Sequence, residues 1–250
     1  MFDIERPLVL AATSDLHGYL EGIQEVCETR NVDILVIAGD IEPADPFVSK
    51  PYWFERKFFP LIGKLGCEVV AIPGNHDFWL SSKYIAISRN EGNAYPKNFH
   101  LLIDEEIKVH GIRFYGSPWV PFINGAWCFE EADDDLIDRF NMIPEGVDVL
   151  ISHSPPMLKH KVIDVSLDNP TECQRHFGSK SLTKAIAAKQ PKVVLCGHIH
   201  SGEHSCNSIA TGLQMQYTLA WNVSRVNEQY RIAYKIKLLE LNKDAVREIN

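Results

Sequence analysis

Five short segments of this 250-residue sequence concentrate imidazole, carboxylate and carboxamide side chains: Asp15-Leu16-His17, Gly39-Asp40, Gly74-Asn75-His76-Asp77, Ser152-His153 and Gly197-His198-Ile199-His200. Half of the ten histidines lie in them. Nitrogen and oxygen donors of this kind suit borderline divalent ions, and two ligands spaced i, i+2 point the same way from an extended backbone. Taken singly, each segment also has a plain reading: a turn aspartate beside a surface histidine, a strand-ending turn, a core histidine. Their joint occurrence, each at the end of an apolar run, points instead to one shared metal site. Two cations held ~3.5–4 Å apart clamp both sides of an in-line displacement and ionise water near neutral pH. Metal-assisted hydrolysis is therefore the chemistry to which this inventory points.

Such a site needs elements that bring the segments together. Apolar runs at residues 8–12, 34–38 and 69–72 each end at a polar cluster, as buried strands do, and helical stretches at residues 20–29 and 52–64 lie between them. The first third therefore reads β-α-β-α-β, and right-handed crossovers put its three loops on one sheet edge. Residues 99–103, 107–110 and 112–115 read as short antiparallel strands, with Gly111 at a turn. A loop rich in proline and aromatics follows (Ser117 to Phe122), then a helix at residues 131–140. Further buried strands at 147–151 and 193–196 precede Ser152-His153 and Gly197-His198, and a helix is expected at 180–189. Alternation near residues 215–221 and 230–239 gives two closing antiparallel strands. Two mixed sheets with helices outside, in a single domain spanning 1–250, fit this order.

The composition bounds the function. A net charge of -8 argues against a protein that wraps nucleic acid through a basic surface. It leaves room for a small anionic substrate, because bound cations dominate their own surroundings. Six cysteines, at 27, 67, 128, 173, 196 and 206, include no C-x-x-C pair and are expected to be reduced core residues. The run at residues 8–12 is too short to be a signal or to span a membrane, so a cytoplasmic location with no membrane partner is expected.

The five blocks, in this order, resemble the signature of the calcineurin-like metallophosphoesterases: D-x-H, G-D, G-N-H-[DE], H and G-H-x-H. The resemblance implies an α/β fold, a four-layer α/β/β/α sandwich of two mixed sheets flanked by helices, with two divalent metal ions (Mn, Fe or Zn, with Mn expected in vitro) at the strand ends. Carried over block by block, Asp15, His17, Asp40 and His200 would hold one ion, and Asp40, Asn75, His153 and His198 the other. Asp40 would bridge them, and a bridging hydroxide would attack the phosphate ester in line. His76 would protonate the leaving oxygen, oriented by Asp77.

Protein phosphatases of this superfamily carry Asp-Arg-Gly soon after the bridging aspartate, where this chain has Asp40-Ile41-Glu42-Pro43. The missing arginine removes a clamp for dianionic monoesters. Gly116 to Pro121, with Ser152 to Pro156 and Gly197 to Gly202, is similar to the metallophosphoesterase-domain-containing, class III cyclic-nucleotide phosphodiesterase-like branch, some of whose members replace the first histidine of the last block with glycine; His198 is retained here. The expected function is hydrolysis of a small phosphodiester such as a cyclic nucleotide, with Trp119, Phe122 and Trp127 near the pocket or in the core. A phosphomonoesterase or protein phosphatase, and a non-catalytic scaffold, are the alternatives. His204, four residues past His200, is a candidate substrate contact. Surface or structural roles are expected for His100, His110, His160 and His176, and the acidic run from Glu130 to Asp135 reads as a solvated helix start.

Overall fold

The computed structural model describes residues 2–88, 95–158, 163–164, 176–211 and 216–249; His160 and Cys173 lie outside them. The order is β1 (Leu8–Thr13), α1 (Ile23–Thr29), β2 (Ile34–Ala38), α2 (Lys50–Trp53), a π-helical turn (Phe54–Phe58), α3 (Phe59–Ile62), β3 (Glu68–Ile72), α4 (Phe78–Ser88), β4 (Phe99–Leu101), β5 (Glu105–Val109) and β6 (Ile112–Ser117). It continues with β7 (Val120–Pro121), β8 (Glu130–Glu131), α5 (Leu136–Asn141), β9 (Val149–Ser152), α6 (Lys180–Lys189), β10 (Val193–Cys196), β11 (Asn207–Thr211), β12 (Gln216–Asn222), β13 (Lys237–Leu241) and β14 (Val246–Glu248).

Twelve of the strands form two six-stranded sheets, β14-β13-β1-β2-β3-β4 and β11-β12-β10-β9-β6-β5, and β7 pairs with β8 in a small two-stranded sheet. Within each six-stranded sheet, four consecutive neighbours run parallel: β1 to β4 in the first, and β6, β9, β10 and β12 in the second. The parallel strands are apolar on both faces because both faces are covered. Leu10, Ala12, Ile34, Val36, Val70 and Ile72 meet Phe114, Val149, Ile151, Val193, Leu195 and Trp221 between the sheets. Their alternates Ala11, Leu35, Ile37, Val69 and Ala71 pack outward on Ile23, Cys27, Phe54, Phe58, Ile62 and Leu80. On the far side, Leu150, Val194 and Ala220 face Leu136, Phe140, Leu182, Ala185 and Ile186. This gives the α/β/β/α layering.

Local chemistry accounts for the helices. Ser179 caps α6 by accepting from Leu182 N at 2.9 Å, a contribution of about 1 kcal/mol, and Leu182, Ala185 and Ile186 form its buried stripe. The helical turns at 50–62 widen to a π-turn immediately before Pro60, which has no N–H for the carbonyl four residues back.

Several elements differ from the sequence expectation. β4 joins β3 in parallel rather than forming an antiparallel neighbour of β5. The helix α4 follows Asp77 directly, and β11 and β14 are additional edge strands. The acidic run does not start a helix at 131: Glu130 and Glu131 form β8, and α5 begins at Leu136. The Glu130 carboxylate instead accepts from the amides of Ile123, Asn124 and Trp127 at 2.7, 3.0 and 2.7 Å. Desolvation opposes the charge on Glu130, but these bonds prevail and depress its pKa to about 2. The strand expected at residues 230–239 starts only at Lys237, as β13, because residues 225–236 fold as turns and isolated bridges. Among the described residues Cys27, Cys67 and Cys196 are buried free thiols. No helix among the described residues is long and apolar enough to cross a membrane.

Candidate metal centre

Because β1, β2 and β3 are parallel, the segments beginning at Ser14, Gly39 and Gly74 leave the first sheet on one edge; those beginning at His153 and Gly197 leave β9 and β10 likewise. Hydrogen bonds join the two edges. Ser14 N donates to Val223 O at 2.8 Å and Arg225 N to Ser14 O at 2.9 Å, while within the second sheet's edge Gly197 N donates to His153 O at 3.0 Å. The backbone turns sharply where the polar side chains start: Asp15, His17, Asp40 and His198 all have left-handed φ values of 43–68°. Asp and His tolerate this region better than most residues, yet each such residue stores strain typical of functional sites. The block glycines answer to close approach. A Cβ on Gly74 would lie 2.2 Å from Asp40 Oδ1, and one on Gly197 would lie 2.4 Å from Asp15 Oδ2.

Asp15, His17, Asp40 and His200, all buried, offer donor atoms within 4.8 Å of one another. The Nε2 atoms of His17 and His200 face each other at 3.3 Å, His17 Nε2 lies 3.7 Å from Asp40 Oδ2, and His200 Nε2 lies 3.4 Å from Asp15 Oδ1. Asp15 is held by Ser224 Oγ (2.6 Å) and by the His198 amide (3.1 Å to each oxygen), and His200 Nδ1 by Asn227 O at 3.1 Å. On the other side of Asp40, His153 Nε2 lies 3.3 Å from Oδ1 and 3.0 Å from Asn75 Oδ1. The His153 and His198 rings are 5.1 Å apart. His153 Nδ1 pairs with Ala38 O at 2.8 Å, which aims Nε2 inward. The two groups share the Asp40 carboxylate.

Two buried carboxylates at the centre of this ring of imidazoles are a charge arrangement that cations would balance. Burial disfavours charged rings, yet Asp40 pushes the His153 pKa up to about 9 and Asp15 pushes that of His200 up to about 9. Desolvation prevails at His17 and His198, pushed down to about 4 and about 3. Burial would also raise Asp15 and Asp40, but the facing imidazoles hold both carboxyls below their usual range. The donor set of imidazole nitrogen, carboxylate and carboxamide oxygen without thiolate fits hard to borderline divalent metals.

The family model described as calcineurin-like phosphoesterase matches residues 8–202, from β1 through the last of the five blocks. The chain belongs to the calcineurin-like phosphoesterase family. Metallophosphoesterase domain-containing protein 1 of Homo sapiens is 31% identical over 211 residues, covering 76% of this chain and 59% of its own length. The UPF0046 protein T07D4.2 of Caenorhabditis elegans is 30% identical over 197 residues, covering 68% and 46%. The match thus spans roughly half to three-fifths of these relatives. TT1561 of Thermus thermophilus has the same fold at TM-score 0.64, with 15% identity and 98% and 99% of the two chains covered. The purple acid phosphatase PPD1 of yellow lupin aligns at TM-score 0.51 and 11% identity, over 96% of this chain and 50% of that one.

In this calcineurin-like phosphoesterase chain, His76 stands beside the two groups with Nε2 4.0 Å from Asp40 Oδ2 and its side chain 21% exposed. Burial lowers its pKa, while Asp40 opposes that shift. Asp77 does not touch the His76 ring. Its carboxylate accepts from the amides of Ile41 (2.8 Å), Glu42 (2.7 Å) and Gly74 (2.7 Å), tying the Gly39-Asp40 loop to the Gly74-Asp77 loop. Asp77 is fully buried, and its hydrogen bonds make it a backbone clamp between these loops.

The aromatic expectations divide. Trp119 is packed away from the cluster: its Nε1 donates to Asp104 Oδ2 at 2.7 Å and the Arg139 guanidinium lies 4.0 Å from its ring centroid. Phe122 is 61% exposed at the start of the loop that carries Trp127. Of the three, Trp127 is the one at the site, its ring 4.2 Å from that of His76; Cys128 N, donating to Asn75 O at 3.1 Å, anchors that loop. His204 stacks on Tyr234 at 3.8 Å, with Nε2 3.1 Å from His200 O, so it supports His200 from outside the cluster. His100 and His176 pair with Glu68 and Asp164 at 2.7 and 2.8 Å, as structural histidines do.

Two site residues carried no recognised signal. Tyr230 packs edge-on against His17 (4.7 Å), His200 (5.2 Å) and His76 (6.3 Å), with φ of 55°. Glu42, buried, accepts from Leu80 N at 2.8 Å and so caps α4 from across the loop. Its position two residues past Asp40 acquires meaning only once α4 is known to start at Phe78.

Proposed function

We propose that the chain is a dinuclear-metal-dependent phosphodiesterase acting on a small ester with a flat substituent, such as a cyclic nucleotide. The reading rests on one observation above all. The Asp40 carboxylate faces His17 through one oxygen and His153 through the other, while the partly exposed imidazole of His76 lies 4.0 Å away. Asp15, His17, Asp40 and His200 would hold one ion, and Asp40, Asn75, His153 and His198 the other, with Mn, Fe or Zn all compatible with the donors. Divalent ions there would supply Lewis acidity toward phosphoryl oxygens and lower the pKa of water.

The chain's own residues carry the remaining steps. An anionic phosphate beside His76 favours the protonated ring and places it to give the Nε2 proton to the leaving oxygen. Trp127 confines that ring on one face, and Tyr230 closes the wall between His76 and His17. Both offer surfaces on which a base can stack. Among the described residues no arginine or lysine forms an ion pair with the seven candidate ligands, which favours a monoanionic diester over a dianionic monoester.

The experiment is a comparison of Mn²⁺-loaded protein on bis(p-nitrophenyl) phosphate, p-nitrophenyl phosphate and a panel of cyclic nucleotides. Metal-dependent turnover with kcat/KM higher for diesters is expected. Turnover of the monoester alone would overturn the diester assignment, and no metal-dependent turnover on any of them would overturn the enzymatic reading.

A further inference from the structure

A second concave site, of about 500 Å³, lies between α1 and β13 and contains none of the seven candidate metal ligands. That volume is within the range of small-molecule pockets. In a chain of net charge -8, its wall is cationic: Arg30, Arg225, Lys235 and Lys237 line it with His204, against one carboxylate, Glu248. Glu248 is already engaged, by Lys237 Nζ at 2.7 Å and Trp221 Nε1 at 3.3 Å. Arg30, Arg225 and Lys235 have no carboxylate at ion-pair distance among the described residues.

Arg225 is the most telling of the three. Its guanidinium is partly buried, and its hydrogen bond goes to a neutral carbonyl, Glu21 O, at 2.8 Å. Burial holds it below its ordinary range even though the nearby Glu21 charge opposes that shift, the condition of a cation partly shielded from water with no carboxylate in contact. Val26, Leu238 and Ile249 supply apolar wall beside these charges. We propose that this cavity binds an organic anion, a phosphate or carboxylate head on an apolar body, with Arg225, Lys235 and Arg30 around the head. The site adjoins the metal centre: His204 joins the two through its hydrogen bond to His200 O at 3.1 Å.

Phenylphosphonate, an anion with an apolar ring and a carbon–phosphorus bond that phosphoesterase chemistry leaves intact, is the probe. Calorimetric titration of the full Mn²⁺-loaded chain should show two binding events, one abolished by EDTA and one resistant to it. Lys235→Gln and Arg225→Gln should each weaken the resistant event about tenfold or more, the scale of one charge-assisted hydrogen bond. Lys235→Gln, at an exposed position, should leave turnover of bis(p-nitrophenyl) phosphate unchanged. A thermal melt checks that Arg225→Gln is folded, and Lys235→Gln keeps the test open if it is not. Absence of an EDTA-resistant event, or one that both substitutions leave intact, overturns the proposal. Failure of the metallophosphoesterase reading would instead remove only the EDTA-sensitive event.

Discussion

Replacing Asp77 by Asn separates a clamp from a proton-relay partner. Both Asp77 oxygens accept backbone N–H groups: Oδ1 from Ile41 and Glu42 at 2.8 and 2.7 Å, Oδ2 from Gly74 at 2.7 Å and Ile41 at 3.1 Å. Asparagine keeps one acceptor oxygen but turns an NH₂ group toward amide donors, whichever way it is flipped. One buried bond is lost and its donor is left unsatisfied, at a cost of about 1–3 kcal/mol. For a chain of this size that lowers Tm by about 2–12 °C, at about 2–4 °C per kcal/mol. The Asp40 and Asn75 loops are also released from one another, so metal affinity should fall, and turnover should drop by similar factors on esters with good and poor leaving groups. The assays are a thermal melt, metal content after dialysis, and paired kinetics on nitrophenyl and alkyl esters. An unchanged Tm together with a loss confined to poor leaving groups would mean that Asp77 acts on the His76 ring and would refute the clamp.

The remaining predictions concern the cluster itself. His76→Ala should reduce turnover of substrates with poor leaving groups by about 10²–10⁴-fold and of nitrophenyl esters far less; equal losses would remove the general-acid role. Asp40→Asn should abolish retention of both ions, and with it the metal-induced stabilisation, which is about 2.7 kcal/mol at a hundredfold excess over Kd. Elemental analysis finding two ions per chain in that variant would contradict a shared carboxylate. Gly197→Ala places a Cβ 2.0 Å from Ser14 Oγ and 2.4 Å from Asp15 Oδ2; overpacking of about 1–3 kcal/mol and reduced metal content are expected, and a wild-type melt with full metal loading would count against the close approach.

The donor inventory and its order along the chain were legible without coordinates, because residue chemistry is local and each block follows an apolar run that any covered parallel strand must show. Leu8–Thr13, Ile34–Ala38 and Val193–Cys196 could be read for that reason, as could the convergence of their C-terminal loops. Which aromatics face the cluster was settled by packing alone. Trp127 rather than Trp119 reaches His76, since Glu130 and Asn75 hold its loop inward, and Tyr230 arrives from a turn that periodicity read as strand. The same holds for Asp77, whose neighbour in sequence is His76 but whose partners include amides 35 and 36 residues away. It holds too for β13, which pairs Leu241 with Leu8 across nearly the whole chain. These contacts join groups far apart in sequence, and their energy depends on a packing that no local pattern encodes.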